Sequence, residues 1–231
     1  MNSTDDAQRR GGRLPRLARR RQLLDAAQQV FVAQGYHAAA MDDIADCAGV
    51  SKPVLYQHFP GKRDLYLALL DESAGQLVEA VRNALASTTD NKQRVLATVR
   101  AYYEFVGDKG GAFRLVFESD LTGEPEVRER VDAVSRQCAD AISHVIAEDT
   151  GLPQAESRLL GAGLAGVAHI TARAWTANGD TVPREDAIQL VASLMWRGIR
   201  GIPLSEEQRG EEQRGEEQRG EEQRDEERRG G

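Results

Sequence analysis

Residues 35–70 read GYHAAAMDDIADCAGVSKPVLYQHFPGKRDLYLALL, and their reading decides the fold. Residues 41–48 carry a short helical signal closed by Gly49, the residue type that leaves a helix most cheaply through a left-handed turn. Val50 is expected to bury the turn, and the Ser51 hydroxyl to cap the helix that follows. That helix is short, residues 52–59, and Pro60 stops it. Two short helices joined by a three-residue, glycine-containing turn make a helix-turn-helix, whose second helix enters the DNA major groove.

The residue types on the second helix suit that task. Leu55 and Phe59 are four apart and share one face, which anchors the helix on a core. Lys52, Val54, Tyr56, Gln57 and His58 are left facing outwards. Pro53 falls in the first turn, where its missing N–H costs nothing. The rival reading is a helix-turn-helix used only for packing or partner contacts.

Working outwards, the preceding segment places Leu23, Ala27, Val30 and Phe31 at helical spacing, and Gly35 is read as the end of that helix. Seven arginines lie from Arg9 to Arg21, and Arg13 and Arg16 are the candidates for phosphate or minor-groove contact. The alternative for any one of them is a solvated basic face. The formal charge of the 231-residue chain is -7, which taken whole argues against a nucleic-acid partner. Its distribution argues the other way. Residues 9–63 hold ten basic and four acidic groups, a local net of +6, whereas residues 205–231 hold eleven acidic and six basic, a net of -5.

Beyond the helix-turn-helix every segment has helical periodicity and none alternates as a strand does. Helices are expected over 62–86, 91–107, 111–120, 124–148, 154–177 and 183–200, so the fold is all-α with about nine helices. Residues 1–12 are polar and expected to be disordered; residues 13–61 form the DNA-binding unit and residues 62–204 a helical ligand-binding and dimerisation unit. Residues 205–231 repeat EEQRG without one apolar residue, so they are expected to be a disordered charged tail.

The stretch from Phe31 to Leu65 resembles the TetR family of bacterial transcription regulators. The resemblance rests on Gly35-Tyr36, Ile44-Ala45, Ala48-Gly49-Val50-Ser51-Lys52, Leu55-Tyr56, His58-Phe59 and Lys62. It implies a three-helix DNA-binding domain and a helical effector domain that forms a homodimer through its last two helices. Lys52, Pro53, Val54 and Gln57 then match base-facing positions, and Tyr56, His58 and Lys62 match phosphate-contacting ones. For Lys62, the start of a helix also favours an anion. Where many members carry a capping Thr this chain has Ala40, so a phosphate contact there is doubtful; Asp42 and Asp43 are the candidates to compensate.

Over residues 13–204 the chain is also similar to actinobacterial regulators of the fatty acid synthase operon, through GYHAAAMDDIAD, VSKPVLYQHF, TTDNKQR and FRLVFESDLTGEPEV. That similarity implies a long-chain acyl-CoA effector and control of fatty acid biosynthesis genes. The residues agree in kind. The stripes Leu77/Val81/Leu85 and Val95/Val99/Tyr102/Val106 carry no acid or base, and Leu77, Val81, Leu85, Val99, Tyr102 and Val106, with Phe113, Phe117 and Trp175, are the candidate lining of an alkyl pocket. For most of these positions plain core packing competes. Gly161, Gly163 and Gly166, with Ile188, Val191, Leu194 and Met195, are the candidates for a tight two-fold interface.

Other classes are less supported. His37, His58, His144 and His169 match no metal-ligand spacing, and no glycine-rich phosphate loop or nucleophile constellation is present, so neither catalysis nor a cofactor or metal is expected. Cys47 and Cys138 form no CxxC pair, and the Arg-rich start has no apolar h-region, so a cytoplasmic protein is expected, with no membrane partner. The nearer rival is a regulator of an efflux or catabolic operon answering another hydrophobic small molecule.

Overall fold

The computed structural model describes residues 15–108, 121, 123–177 and 181–198. Within them are eight helices: α1 (Arg16–Ala38), α2 (Met41–Cys47), α3 (Lys52–His58), α4 (Lys62–Ala86), α5 (Asn91–Asp108), α6 (Pro125–Thr150), α7 (Gln154–Ala177) and α8 (Arg184–Arg197). The ninth expected helix, 111–120, lies outside the described residues, as do Arg13, Phe113, Phe117, the N-terminal segment and the repeat tail. No helix among the described residues is long and apolar enough to cross a membrane.

Local chemistry accounts for the helix-turn-helix. Gly49 takes φ +64°, its N–H donates to Asp46 O at 3.0 Å, and Val50 N–H donates to Ala45 O at 3.0 Å. This pair of bonds is a Schellman closure, which satisfies the carbonyls α2 leaves open. The start of α3 departs from expectation, because Ser51 makes no side-chain capping bond. A capping oxygen needs the N–H of the second or third helical residue. The second is Pro53, which has none, and the third, Val54, donates to Ser51's own carbonyl at 2.9 Å. At α2 the missing Thr is offset from the other side: Ala40 N–H donates to Asp43 Oδ2 at 3.3 Å.

Gly35 kinks α1 rather than ending it. With φ +76° and ψ 164° it turns the axis, and one further helical turn follows to Ala38. Tyr36, just past the kink, stacks on Phe31 and meets Tyr66 of α4 edge-on, with centroids 5.8 and 5.1 Å apart. Leu23, Ala27, Ile44, Leu55, Phe59 and Leu65 close one continuous core from α1 to α4.

Helices α4 to α8 form the second layer, and small residues set its spacing. A Cβ on Gly161 would lie 2.5 Å from Ala139 O and 2.9 Å from Ser143 N, so this glycine lets α7 lie directly on α6. That corrects its expected place at a two-fold interface. Gly163 and Gly166 have nothing within 4 Å and remain open. Ile188 and Val191 are likewise buried within the chain, while Leu159, Ile170, Leu190 and Trp196 stand exposed on α7 and α8.

Candidate DNA interface and effector cavity

The outward side of α3 presents Lys52, Pro53, Tyr56 and Gln57 to solvent, with Tyr56 49 % exposed. Val54 and His58 are half-buried, and Leu55 and Phe59 anchor the helix at 0 % and 2 % exposure. Lys52 pairs with Asp42 of α2 at 2.5 Å, a bond that raises the pKa of its ammonium. Both side chains are more than half exposed, so the pair is weak enough for a nucleic acid to displace.

The first turns of α1 pass beside the end of α3. Arg20 lays its guanidinium 4.4 Å over the Phe59 ring. Burial pushes the His58 imidazole pKa down, and Arg16, Arg20 and Arg19 push it further. The three arginines form a positive cluster whose mutual repulsion a phosphate would relieve. Arg19 and Arg20 were missed among the sequence candidates. The signal was the arginine run itself, but only the tertiary placement of α1's first turns near His58 and Phe59 selects Arg16, Arg19 and Arg20 from it.

Lys62 has a different use from the one expected. Its ammonium donates to Tyr36 O at 2.8 Å, His37 O at 3.2 Å and Ala39 O at 2.8 Å, and sits 4.6 Å from the Tyr36 ring centroid. Three donors meet three carbonyls, so Lys62 fastens the last turn of α1 to the start of α4 instead of reaching outwards. Sequence spacing showed a cation at a helix start; it could not show that a helix end lies opposite.

At the far end of the bundle, away from α3, lies an open cavity of about 480 Å³. Its body is apolar: Leu85, Val95, Ile142, Val145, Ile146 and Leu164. Asn91, Arg94, Asp149 and Thr150 give it a polar rim, where Arg94 and Asp149 pair at 2.6 Å. A smaller cavity of about 210 Å³ lies further along the bundle, lined by Leu77, Tyr102, Val134 and Ala165 among others. Tyr102 and Cys138 share a hydrogen bond beside it, and burial holds both well above their usual ionisation range.

Of the expected lining, Leu85 faces the larger cavity and Leu77 and Tyr102 the smaller. Val81, Val99 and Val106 are buried at 0 to 1 % exposure and line neither of these two. Trp175 packs on Tyr103, with ring centroids 5.5 Å apart, and its indole N–H donates to Val182 O at 2.8 Å. It pegs α7 to the segment before α8. The wall supplied by α6 was missed, because Ile142 and Ile146 are told from core residues only by what faces them. Among the described residues no cluster of three or more potential metal ligands occurs.

Residues 23–69 match the family of bacterial regulatory proteins of the tetR type. Over 197 residues the chain is 45 % identical to the HTH-type transcriptional activator FasR of Mycolicibacterium smegmatis, spanning 85 % of this chain and 90 % of that one. The chain belongs to the TetR family. Solved TetR-type folds agree. A TetR-like regulator from a Rhodococcus species superposes with TM-score 0.65 at 27 % identity, covering 82 % of this chain and all (100 %) of that one. FadR of Bacillus subtilis, solved with stearoyl-CoA, superposes with TM-score 0.64 at 21 % identity, covering 78 % and 98 %. At that identity the likeness is one of fold. As a TetR-family member the chain is a DNA-binding transcription regulator, and α2 and α3 are its helix-turn-helix.

Proposed function

We propose that the chain is a homodimeric operator-binding regulator whose DNA affinity is switched by long-chain acyl-CoA and which controls fatty acid biosynthesis genes. The observation that carries the effector is the larger cavity, an apolar body behind a polar rim whose cation is already paired with an anion. Such a site suits an alkyl chain with a polar head outside it, and not a cationic drug, which would need an unpaired carboxylate. The similarity of residues 13–204 to regulators of the fatty acid synthase operon supports the target genes, and the stearoyl-CoA in a protein of the same fold supports the ligand.

Base contacts fall to Lys52, Pro53, Val54 and Gln57 on α3, and phosphate contacts to Tyr56, His58 and the arginines of α1. The exposed apolar side chains Ile170 and Leu190 belong to the two-fold interface, which pairs two recognition helices and calls for a near-palindromic operator. Each methylene buried contributes about 0.8 kcal/mol, so affinity rises roughly fourfold per carbon until the cavity is full.

A gel shift with the full chain on DNA upstream of the host's fatty acid synthase genes tests both halves. A specific complex whose affinity changes with palmitoyl-CoA and not with free CoA is the expected result. A specific complex indifferent to palmitoyl-CoA removes the effector and keeps the target. Absence of a specific complex removes the target.

A further inference from the structure

We propose that the Thr98 hydroxyl donates a hydrogen bond to the thioester carbonyl of the bound acyl group, which makes Thr98 a specificity residue of the larger cavity. This rests on the acyl-CoA reading of that cavity.

Thr98 lies in the middle of α5, is 3 % exposed, and lines the cavity. Its Oγ1 has no hydrogen-bond partner within the protein. A helical threonine usually returns its hydroxyl to the carbonyl one turn back. Thr150, Thr171 and Thr176 do so, bonding Ile146 O at 2.6 Å, Val167 O at 2.7 Å and Ala172 O at 3.2 Å. Thr98 does not. A buried hydroxyl left unpaired is destabilising, and a ligand atom that accepts from it recovers the loss on binding.

Depth and charge identify that ligand atom. Arg94, on the rim, is four residues before Thr98 on the same helix, so the hydroxyl lies about 6 Å further in along the axis. Around it the walls are apolar, formed by Val95, Ile142, Val145 and Leu164. The ligand must therefore place one polar atom about a helical turn inside the mouth and hydrocarbon against the apolar walls around it. Arg94 is the cation among the described residues lining this cavity, and it is committed. Its Nε donates to Leu85 O at 3.1 Å and Thr88 O at 2.8 Å, and a terminal nitrogen pairs with Asp149 at 2.6 Å. A carboxylate beside Thr98 would be buried without a counter-charge, a heavy desolvation cost. A neutral carbonyl oxygen escapes that cost and accepts the bond. Thr98 would thus separate acyl thioesters from free fatty acids and from alkyl chains that lack a carbonyl.

The test compares palmitoyl-CoA with S-hexadecyl-CoA, the thioether without the carbonyl, by isothermal titration. It uses the full chain, Thr98→Val and Thr98→Ser. The expected result is a roughly tenfold preference of the wild type for the thioester, lost in Thr98→Val and kept in Thr98→Ser. The thioether should bind the wild type and Thr98→Val within about threefold of each other. The ligand-free Thr98→Val chain should melt no lower than the wild type, because a buried unpaired hydroxyl has been replaced by a methyl group. Undiminished thioester preference in Thr98→Val overturns the assignment, as does a wild type that binds both ligands equally well. Either of those outcomes leaves the acyl-CoA reading standing. A wild type that binds neither ligand removes that reading and this inference together.

Discussion

Lys62 shows how far one side chain's role depends on what lies opposite it. Its type and position, a cation opening a helix after a helix-turn-helix, point to a phosphate. Its three bonds to Tyr36, His37 and Ala39 carbonyls instead make it the clamp between α1 and α4. Lys62→Met should therefore act on stability before it acts on charge. Unpairing the carbonyls is expected to cost about 1–3 kcal/mol, a fall of several degrees in Tm. The dependence of operator affinity on salt, which counts neutralised phosphates, should keep its slope. Arg20→Ala should behave oppositely, reducing that slope by about one phosphate's worth with little change in Tm. Reversed outcomes for the two variants would return Lys62 to the phosphate-contacting set. Gln57, Tyr56 and Lys52 raise no such difficulty, since their exposure follows from Leu55 and Phe59 owning the buried face.

At the scale of elements, the close approach of α7 to α6 depends on one glycine. Gly161→Ala puts a methyl 2.5 Å from Ala139 O, where backbone cannot yield without parting the helices. The expected cost is about 1–3 kcal/mol, read as a lowered Tm. Gly163→Ala meets nothing within 4 Å and should be neutral or raise Tm through helix propensity. Equal effects from the two would show that propensity, not packing, governs α7. The docking of α8 is electrostatic at its start. Arg100 of α5 holds Glu185 with two bonds, at 2.5 and 2.7 Å, and these lower the Glu185 pKa to about 2. A carboxylate whose folded pKa is depressed adds stability above its unfolded pKa of about 4.5, and that stability is lost as pH falls towards 2. Glu185→Gln should therefore melt below the wild type at pH 7, and the gap should close between pH 4.5 and 2. Screening at this exposed site keeps the difference small, so a gap that persists at pH 2 would assign it to packing instead.

Over the whole molecule, the helix-turn-helix and the larger cavity occupy opposite ends, and α4 spans the distance. Its 25 residues run about 37 Å, from Lys62 beside the helix-turn-helix to Leu85 on the cavity wall. A ligand can act on DNA only by binding two arrangements of this frame unequally. The DNA-side end of α4 is tied to α6 by charge: Arg63 pairs with Glu126, Glu126 with Arg130 at 3.1 Å, and Arg130 with Asp71 at 2.9 Å. Glu126→Gln cuts this network at its middle. Operator affinity without effector should stay close to that of the wild type, while the change produced by palmitoyl-CoA should shrink several-fold. A full response in the variant would show that the coupling runs through the Phe31–Tyr36–Tyr66 aromatic contacts instead.

The same three scales divide what the chain declares from what it conceals. The helix-turn-helix was legible because its instructions are local: a left-handed glycine at 49, a shared face at 55 and 59, a proline stop at 60. The all-helical bundle was legible for the same reason, since a 3.6-residue period needs only neighbours in sequence. Periodicity marks a face as apolar but not what will cover it. Val81 and Val99 therefore became core, Leu85 became cavity wall, and Leu159 and Ile170 were left exposed. The carbonyls that hold Lys62 and the α6 backbone that demands glycine at 161 come from other helices, and the space that leaves Thr98 unpaired is closed by α4, α6, α7 and α8. Burial, clamping and cavity depend on distances between helices, and those distances exist only once the helices have packed.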